Sequence, residues 1–250
     1  MSTDGKMTAE EAIKSAREKG LGIIFTEHYD ADNQDDIMTF RVDVPRYMAE
    51  YEKFRSEDVL IGIEIGLTHL SSKINIQTVA KGDFDFVLGT VHMIGQVDIY
   101  MNLTFSDNPI ITKEMYLNYV LEMVKQDDFY DAFAHIDYAS RFFSEIPDDK
   151  SAEMDYCEFK DVYDAIFKIL VKKEKPLEIN TRRLKYKSAC DCMFEVLKAY
   201  KSCGGKYVTI GSDAHYAENI GIDFNEALKM AEELSFIPVY FKDRKIVKII

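Results

Sequence analysis

Apolar positions along this chain alternate between short continuous runs and longer runs of helical period. Thr8-Ala9-Glu10-Glu11 has the form of a capping box, which predicts a helix from there to Lys19, ended by Gly20. Residues 21–25 form a short apolar run bounded by polar residues, the signature of a buried strand. Pro45 suits the first turn of a second helix carrying Tyr47, Met48, Tyr51 and Phe54. The alternation then repeats: a strand over 59–63, a short helix before Gly82, a strand over 84–91 and a long loop to about Pro109. Met115, Tyr116, Tyr119, Val120 and Met123 mark one helix face, and a strand follows over 129–134. Tyr156, Phe159, Val162, Tyr163, Ile166, Phe167 and Leu170 predict another helix. Strands over 176–179, 207–210 and 237–241 are separated by helices carrying Met193, Val196, Leu197 and Tyr200, then Leu228, Ala231 and Leu234.

Strands separated by helices are too far apart for hairpins, so they pair in parallel through right-handed crossovers. Seven such strands fit either an α/β barrel or a doubly wound sheet, and periodicity alone does not choose. There is no low-complexity segment, no linker-like stretch and no internal repeat, which predicts one domain over 1–250.

The residues that end the strands carry the chemistry. The run 21–25 leads into Thr26-Glu27-His28, 59–63 into Glu64, 84–91 into His92 and 129–134 into His135. The run 176–179 leads into Asn180, and 207–210 into Gly211-Ser212-Asp213-Ala214-His215. Four of the five histidines therefore lie at or just past a predicted strand end. In a parallel barrel these ends converge on one face. His28, Glu64, His92, His135, Asp213 and His215 then share one mouth. Such a crowd of acids and imidazoles is costly without a cation, and mixed nitrogen and oxygen donors suit zinc, manganese or iron better than calcium. The number of groups suits more than one metal ion, with Glu64 as a bridging carboxylate. His69 falls off the pattern and is expected on a loop or surface.

Composition narrows the partners. Forty-four Asp+Glu against 31 Lys+Arg leave a net charge of −13, which argues against a general nucleic-acid or anionic-membrane binder. No run of about 18 apolar residues marks a membrane span. The segment from Met1 to Lys6 has no apolar stretch of the kind a secretory signal needs, and the four cysteines contain no C-x-x-C pair. A cytoplasmic protein with reduced thiols is expected. No P-loop, dinucleotide fingerprint or G-x-S-x-G elbow is present, so neither a nucleotide cofactor nor a Ser–His hydrolase is supported.

Taken in order, Thr26-Glu27-His28, Gly62-Ile63-Glu64, Gly89-Thr90-Val91-His92, Ala134-His135-Ile136-Asp137, Leu177-Glu178-Ile179-Asn180-Thr181 and Gly211-Ser212-Asp213-Ala214-His215 resemble the successive motifs of the polymerase and histidinol phosphatase (PHP) family. The resemblance is nearest to its histidinol-phosphate phosphatases, on the Leu-Glu-Ile-Asn-Thr and Gly-Ser-Asp-Ala-His pieces and a terminal region like Phe241-Lys-Asp-Arg. It implies a distorted (β/α)₇ TIM-like barrel, two or three divalent metal ions (Zn, Mn or Fe) at its mouth, and hydrolysis of a small phosphomonoester. The family opens with a strand ending in H-x-H, then Asp-Gly. Here Asp4-Gly5 matches the later part, and the opening strand is expected to be missing. Residue by residue, the resemblance implies one metal position from Glu64, His92 and His135 and a second from Asp4, His28 and His215. A third keeps only Glu64 and Asp213, so weakened occupancy there and low activity are expected. The missing inner strand also leaves two strand edges unprotected.

Under this reading Glu64 bridges, a metal-activated hydroxide attacks phosphorus, and Asp213 or His215 helps protonate the leaving alkoxide. Arg141, Arg183 and Asn180 are the substrate-binding candidates, because a guanidinium matches phosphate oxygens two at a time. Arg182 and Lys185 are weaker candidates of the same kind. Two rival functions remain open: a PHP phosphoesterase acting on nucleotides, phosphoproteins or nucleic-acid ends, and a metal-binding barrel without turnover.

Overall fold

In the computed structural model, which describes residues 4–32 and 40–249, the alternation becomes a mostly parallel α/β fold. Helix α1 (Ala9–Glu18) leads to strand β1 (Ile23–Tyr29), then α2 (Val44–Tyr51), β2 (Val59–Gly66), α3 (Ser72–Val79) and β3 (Phe86–Thr90). A small hairpin of β4 (Met93–Ile94) and β5 (Val97–Asp98) and helix α4 (Ile99–Phe105) precede α5 (Lys113–Gln126) and β6 (Ala132–Phe133). After them come α6 (Lys160–Lys172), β7 (Leu177–Asn180), α7 (Lys187–Ser202), β8 (Tyr207–Gly211), α8 (Phe224–Glu233), β9 (Ile237–Lys242) and β10 (Lys245–Lys248).

The main sheet runs β1-β2-β3-β6-β7-β8-β9-β10, parallel up to β9, with β10 returning antiparallel. Each side of it has its own core. Ile61, Ile63, Ile65, Val87 and Phe133 pack outward with helix residues such as Tyr116, Val120, Tyr163 and Phe167. Phe86, Leu88, Ala132, Ala134, Val239 and Phe241 form a separate cluster on the other face. There Phe86 and Phe241 stack at 5.2 Å, which lays β9 against the start of β3. All eight residues of β2 are buried, but all seven of β1 are only half-buried. The reason is topological: β1 has a single sheet partner, so it is an edge, and among the described residues the sheet does not close.

The elements follow local rules. Thr8 and Glu11 exchange hydrogen bonds at the start of α1, the predicted capping box. Asp43 caps α2, with Pro45 in its first turn. The first strand begins later than its apolar run and extends to Tyr29, because pairing with β2 continues through His28 and Tyr29. Only Ala132 and Phe133 of the run 129–134 form strand. The stretch read as a long loop before Pro109 contains β4, β5 and α4, whose N-terminus is capped by the Asp98 carboxylate. Tyr156 and Phe159 precede α6 and do not belong to it.

The end of the sheet away from the strand C-termini is tied by two carboxylates. Buried Asp85 accepts from the backbone N–H of Ile61 (3.0 Å) and Asp243 (3.1 Å) and pairs with Arg55. Asp131 accepts from the Val87 N–H at 2.8 Å and pairs with Arg244 of the β9–β10 turn. Asp85→Ala leaves three donors without their acceptor, at a cost of about 3 kcal/mol, which lowers the melting temperature by roughly 6–12 °C in a chain of this size. Thermal unfolding followed by circular dichroism checks this, and Asp85→Asn, which keeps one acceptor, should lose less.

Candidate metal centre

Register makes the first contact: His28 of β1 lies directly beside Glu64 of β2. Glu64 is the hub. Its Oε1 is 3.1 Å from His92 Nε2 and 3.0 Å from His135 Nε2, and its Oε2 is 3.8 Å from His28 Nδ1. Glu64, His92 and His135 are all buried. Burial works against a charged Glu64, but the imidazoles of His28, His135 and His92 outweigh it and hold the carboxyl well below the usual carboxylate range. Burial likewise works against a charged His92, and the carboxylates of Asp30 and Glu64 overcome it to raise the imidazole well above its ordinary value.

A second cluster lies on the far side of His28. Asp4, in the segment before α1, places Oδ2 2.7 Å from His215 Nε2 and 3.6 Å from His28 Nε2. The Lys6 N–H donates to the His215 carbonyl at 2.8 Å, which ties this segment to the loop after β8. Burial raises the Asp4 carboxyl, but the His215 hydrogen bond and the two nearby imidazoles bring it down to about 2. Ligand atoms of Asp4, His28 and His215 all lie within 4.8 Å of one another, as do those of His28, Glu64 and His92. The six residues from strand ends and loops thus gather with Asp4 in one place, and His28 joins the two clusters.

Three residues that the sequence reading passed over hold this arrangement. Asp30 is buried, with its carboxylate oxygens 3.1 and 3.2 Å from His92 Nδ1, so the other ring nitrogen is the one that faces Glu64. Space for that carboxylate exists because position 66 is glycine: a Cβ on Gly66 would come within 1.8 Å of Asp30 Oδ1. Glu178 accepts from the His135 backbone N–H (3.0 Å) and from Asn180 Nδ2 (3.1 Å), and burial pushes its carboxyl up. Tyr138 packs its ring against His92 and His135, at 4.8 and 5.1 Å between centroids. The only sequence signal for these is alternation, since Asp30 and Glu178 lie two positions from His28 and Asn180 and so share their side of the strand. Outer partners of this kind typically carry 10–100-fold of metal affinity. Asp30→Ala should therefore weaken zinc binding about 10–100-fold in a chelator competition titration, with Asp30→Asn, which keeps an acceptor, in between.

The arginines divide unexpectedly. Arg141 is nearly buried; it donates to Asp213 Oδ2 at 2.7 Å and to Asn180 Oδ1 at 3.2 Å, and lies over the Tyr138 ring. Burial works against a charged Asp213, but Arg141 keeps its carboxyl far below the ordinary range. Asn180 is buried, with both ends of its amide engaged: Nδ2 by Glu178, Oδ1 by Arg141 and the Arg182 N–H. Arg183 is turned to Glu153, at 2.6 and 2.8 Å, with Asp137 at 3.7 Å. It is not among the residues that meet at the clusters. His69 lies half-exposed beside Glu122 at 2.9 Å, away from them, as expected of a loop histidine.

The donor set fits divalent cations. Each cluster mixes imidazole nitrogen with carboxylate oxygen, the combination that suits zinc and its neighbours. Asp4 Oδ1 and His28 Nδ1 are buried with no hydrogen-bond partner among the described residues, unusual for native polar atoms and consistent with a role as metal ligands.

Comparison with known proteins agrees with this geometry. The chain is 40% identical over 244 residues to a probable histidinol-phosphatase of Clostridium acetobutylicum, covering 97% of this chain and 94% of that one. It is 30% identical to a histidinol-phosphatase of Lactococcus lactis, covering 94% and 88%. Its structure is similar to the crystal structure of histidinol phosphate phosphatase from Lactococcus lactis complexed with zinc, L-histidinol and phosphate. The TM-score is 0.88 at 28% identity, over 99% of this chain and 95% of that one. The PHP domain matches residues 1–182. With the strand-end clusters and the mostly parallel sheet, that match shows that the chain belongs to the PHP domain family.

Proposed function

We propose that this chain is a metal-dependent phosphoric monoester hydrolase whose substrate is histidinol phosphate, with 1–250 acting as one catalytic unit in the cytoplasm. The observation that carries the reading is the pair of imidazole–carboxylate clusters joined at His28, in a chain whose relatives are named histidinol-phosphatases. Glu64 with His92 and His135 would hold one divalent ion, Asp4 with His28 and His215 a second, and Glu64 with Asp213 part of a third. Zinc is the first choice, since the structural neighbour is complexed with it, and manganese and iron suit the same donors. When bound, such ions supply hydroxide near neutral pH and neutralise the phosphate dianion.

The chain's own groups position and move protons. Asp213, kept ionised by Arg141, would orient the attacking oxygen by accepting a hydrogen bond from it as the new P–O bond forms. The bond from phosphorus to the substrate oxygen breaks, and the departing alkoxide takes a proton from His215, which stands beside Asp213 and regains it from solvent. The products are the free alcohol and inorganic phosphate. Arg141 acts here by holding Asp213 through NH1, and Asn180 by holding Arg141 through NH2 while both ends of its own amide are engaged within the protein.

The test is a substrate panel on the zinc- or manganese-loaded protein. Histidinol phosphate should be hydrolysed with kcat/KM at least about 100-fold above p-nitrophenyl phosphate, a nucleoside monophosphate and a phosphotyrosine peptide. Chelation should abolish turnover. Bound zinc with no phosphate released from any of these would instead favour a binding protein, and a preference for another phosphoester would reassign the substrate.

A further inference from the structure

A chain of net charge −13, with carboxylates crowding the metal clusters, opposes a dianionic substrate unless cationic groups face the mouth. Three arginines lie near it, and two are already neutralised. Arg141 is held by Asp213 at 2.7 Å with its side chain 10% exposed, and Arg183 by Glu153 at 2.6 Å with 13% exposed. Both distances are those of firm charge-assisted hydrogen bonds. Arg182 differs. Its side chain is 45% exposed, and its NH1 lies 3.5 Å from Asp213 Oδ2 and 3.3 Å from His215 Nδ1, beyond the ordinary range for such a bond. Among the described residues no hydrogen bond or ion pair engages its Nε or NH2.

The base of this side chain is fixed although its tip is loosely held. The Arg182 N–H donates to Asn180 Oδ1 at 3.2 Å, and the neighbouring Thr181 N–H donates to the Gly211 carbonyl at 2.8 Å, pinning the loop after β7 to the end of β8. A guanidinium carries five donors in a planar fork that matches two oxygens of one phosphate. We propose that Arg182 is a substrate-contacting residue: its loosely held fork, standing beside Asp213 and His215, binds the phosphate group of the phosphomonoester and of the inorganic phosphate product. This rests on the phosphatase reading above. It reverses the order expected from sequence, where Arg183 ranked ahead of Arg182.

Zinc-loaded wild type, Arg182→Ala and Arg182→Lys are compared in KM and kcat for histidinol phosphate, inhibition by inorganic phosphate, and zinc content. In Arg182→Ala, KM and the phosphate inhibition constant should rise together by about tenfold, with kcat falling no more than about twofold and zinc content unchanged. Arg182→Lys, which keeps the charge but not the fork, should recover part of the loss. Unchanged phosphate inhibition in Arg182→Ala overturns the proposal. So does loss of zinc in step with activity, which would make Arg182 a support for Asp213 and His215. If the wild type does not hydrolyse histidinol phosphate, the phosphatase reading fails on its own. Calorimetric binding of inorganic phosphate to zinc-loaded wild type and Arg182→Ala then still decides the role of Arg182: about tenfold weaker binding in the variant supports it, and equal affinity overturns it.

Discussion

Glu64→Gln should reduce phosphatase turnover by about a thousandfold or more and sharply lower the zinc retained after dialysis. The substitution preserves volume and one carbonyl oxygen but removes the charge at the centre of the cluster. Glu64 Oε1 stands 3.0–3.1 Å from two imidazoles, and Oε2 faces a third. The gap is not one that a neighbour can fill, since Glu64 is buried within a strand whose eight residues are all buried. His92→Ala should give the same joint loss of metal and activity. Metal analysis beside a phosphate-release assay checks both, and full turnover in either variant would remove the clusters from the mechanism.

Arg141→Ala should show a different combination, a fall in kcat of about 100-fold together with a large loss of stability. Removing one partner of a buried ion pair typically costs 3–5 kcal/mol, roughly a 6–20 °C drop in melting temperature for a chain of this length. Asp213 would lose its firm 2.7 Å partner, Asn180 its 3.2 Å donor, and the Tyr138 ring the guanidinium above it. Arg141→Lys should rescue little, because an ammonium cannot span Asp213 and Asn180 as a planar fork does. The pairing of effects separates two roles. An arginine that only held phosphate would raise KM and leave the melting temperature near that of wild type, whereas one that positions Asp213 lowers kcat and stability together.

Most of the fold was legible because it is written in local patterns. The capping box at Thr8, the helical stripes of α5 and α7 and the apolar runs that became β2, β3, β7 and β8 depend on neighbours in sequence. Short elements were not: β4, β5 and α4 are two to seven residues long, too short for a period to emerge. β6 shrank to two residues because its flanks turn to bring Asp131 to Arg244 and His135 to Glu64. Among the site residues, those that end strands stood out, as any imidazole after an apolar run does. Asp30, Glu178 and Tyr138 did not, since a carboxylate or phenol inside an α/β chain has no mark until its partner is known.

What the chain alone determined, then, was the alternation of strands and helices and which side chains arrive at strand ends, because backbone periodicity and burial act on consecutive residues. What only the tertiary structure decided was partnership. Arg141, Arg182 and Arg183 are alike in sequence, yet one is buried on Asp213, one is bound to Glu153 and one is half-exposed and only loosely held, by Asp213 at 3.5 Å and His215 at 3.3 Å. Charge at close range acts across residues far apart in the chain, and folding alone sets which opposite charges come within 3 Å.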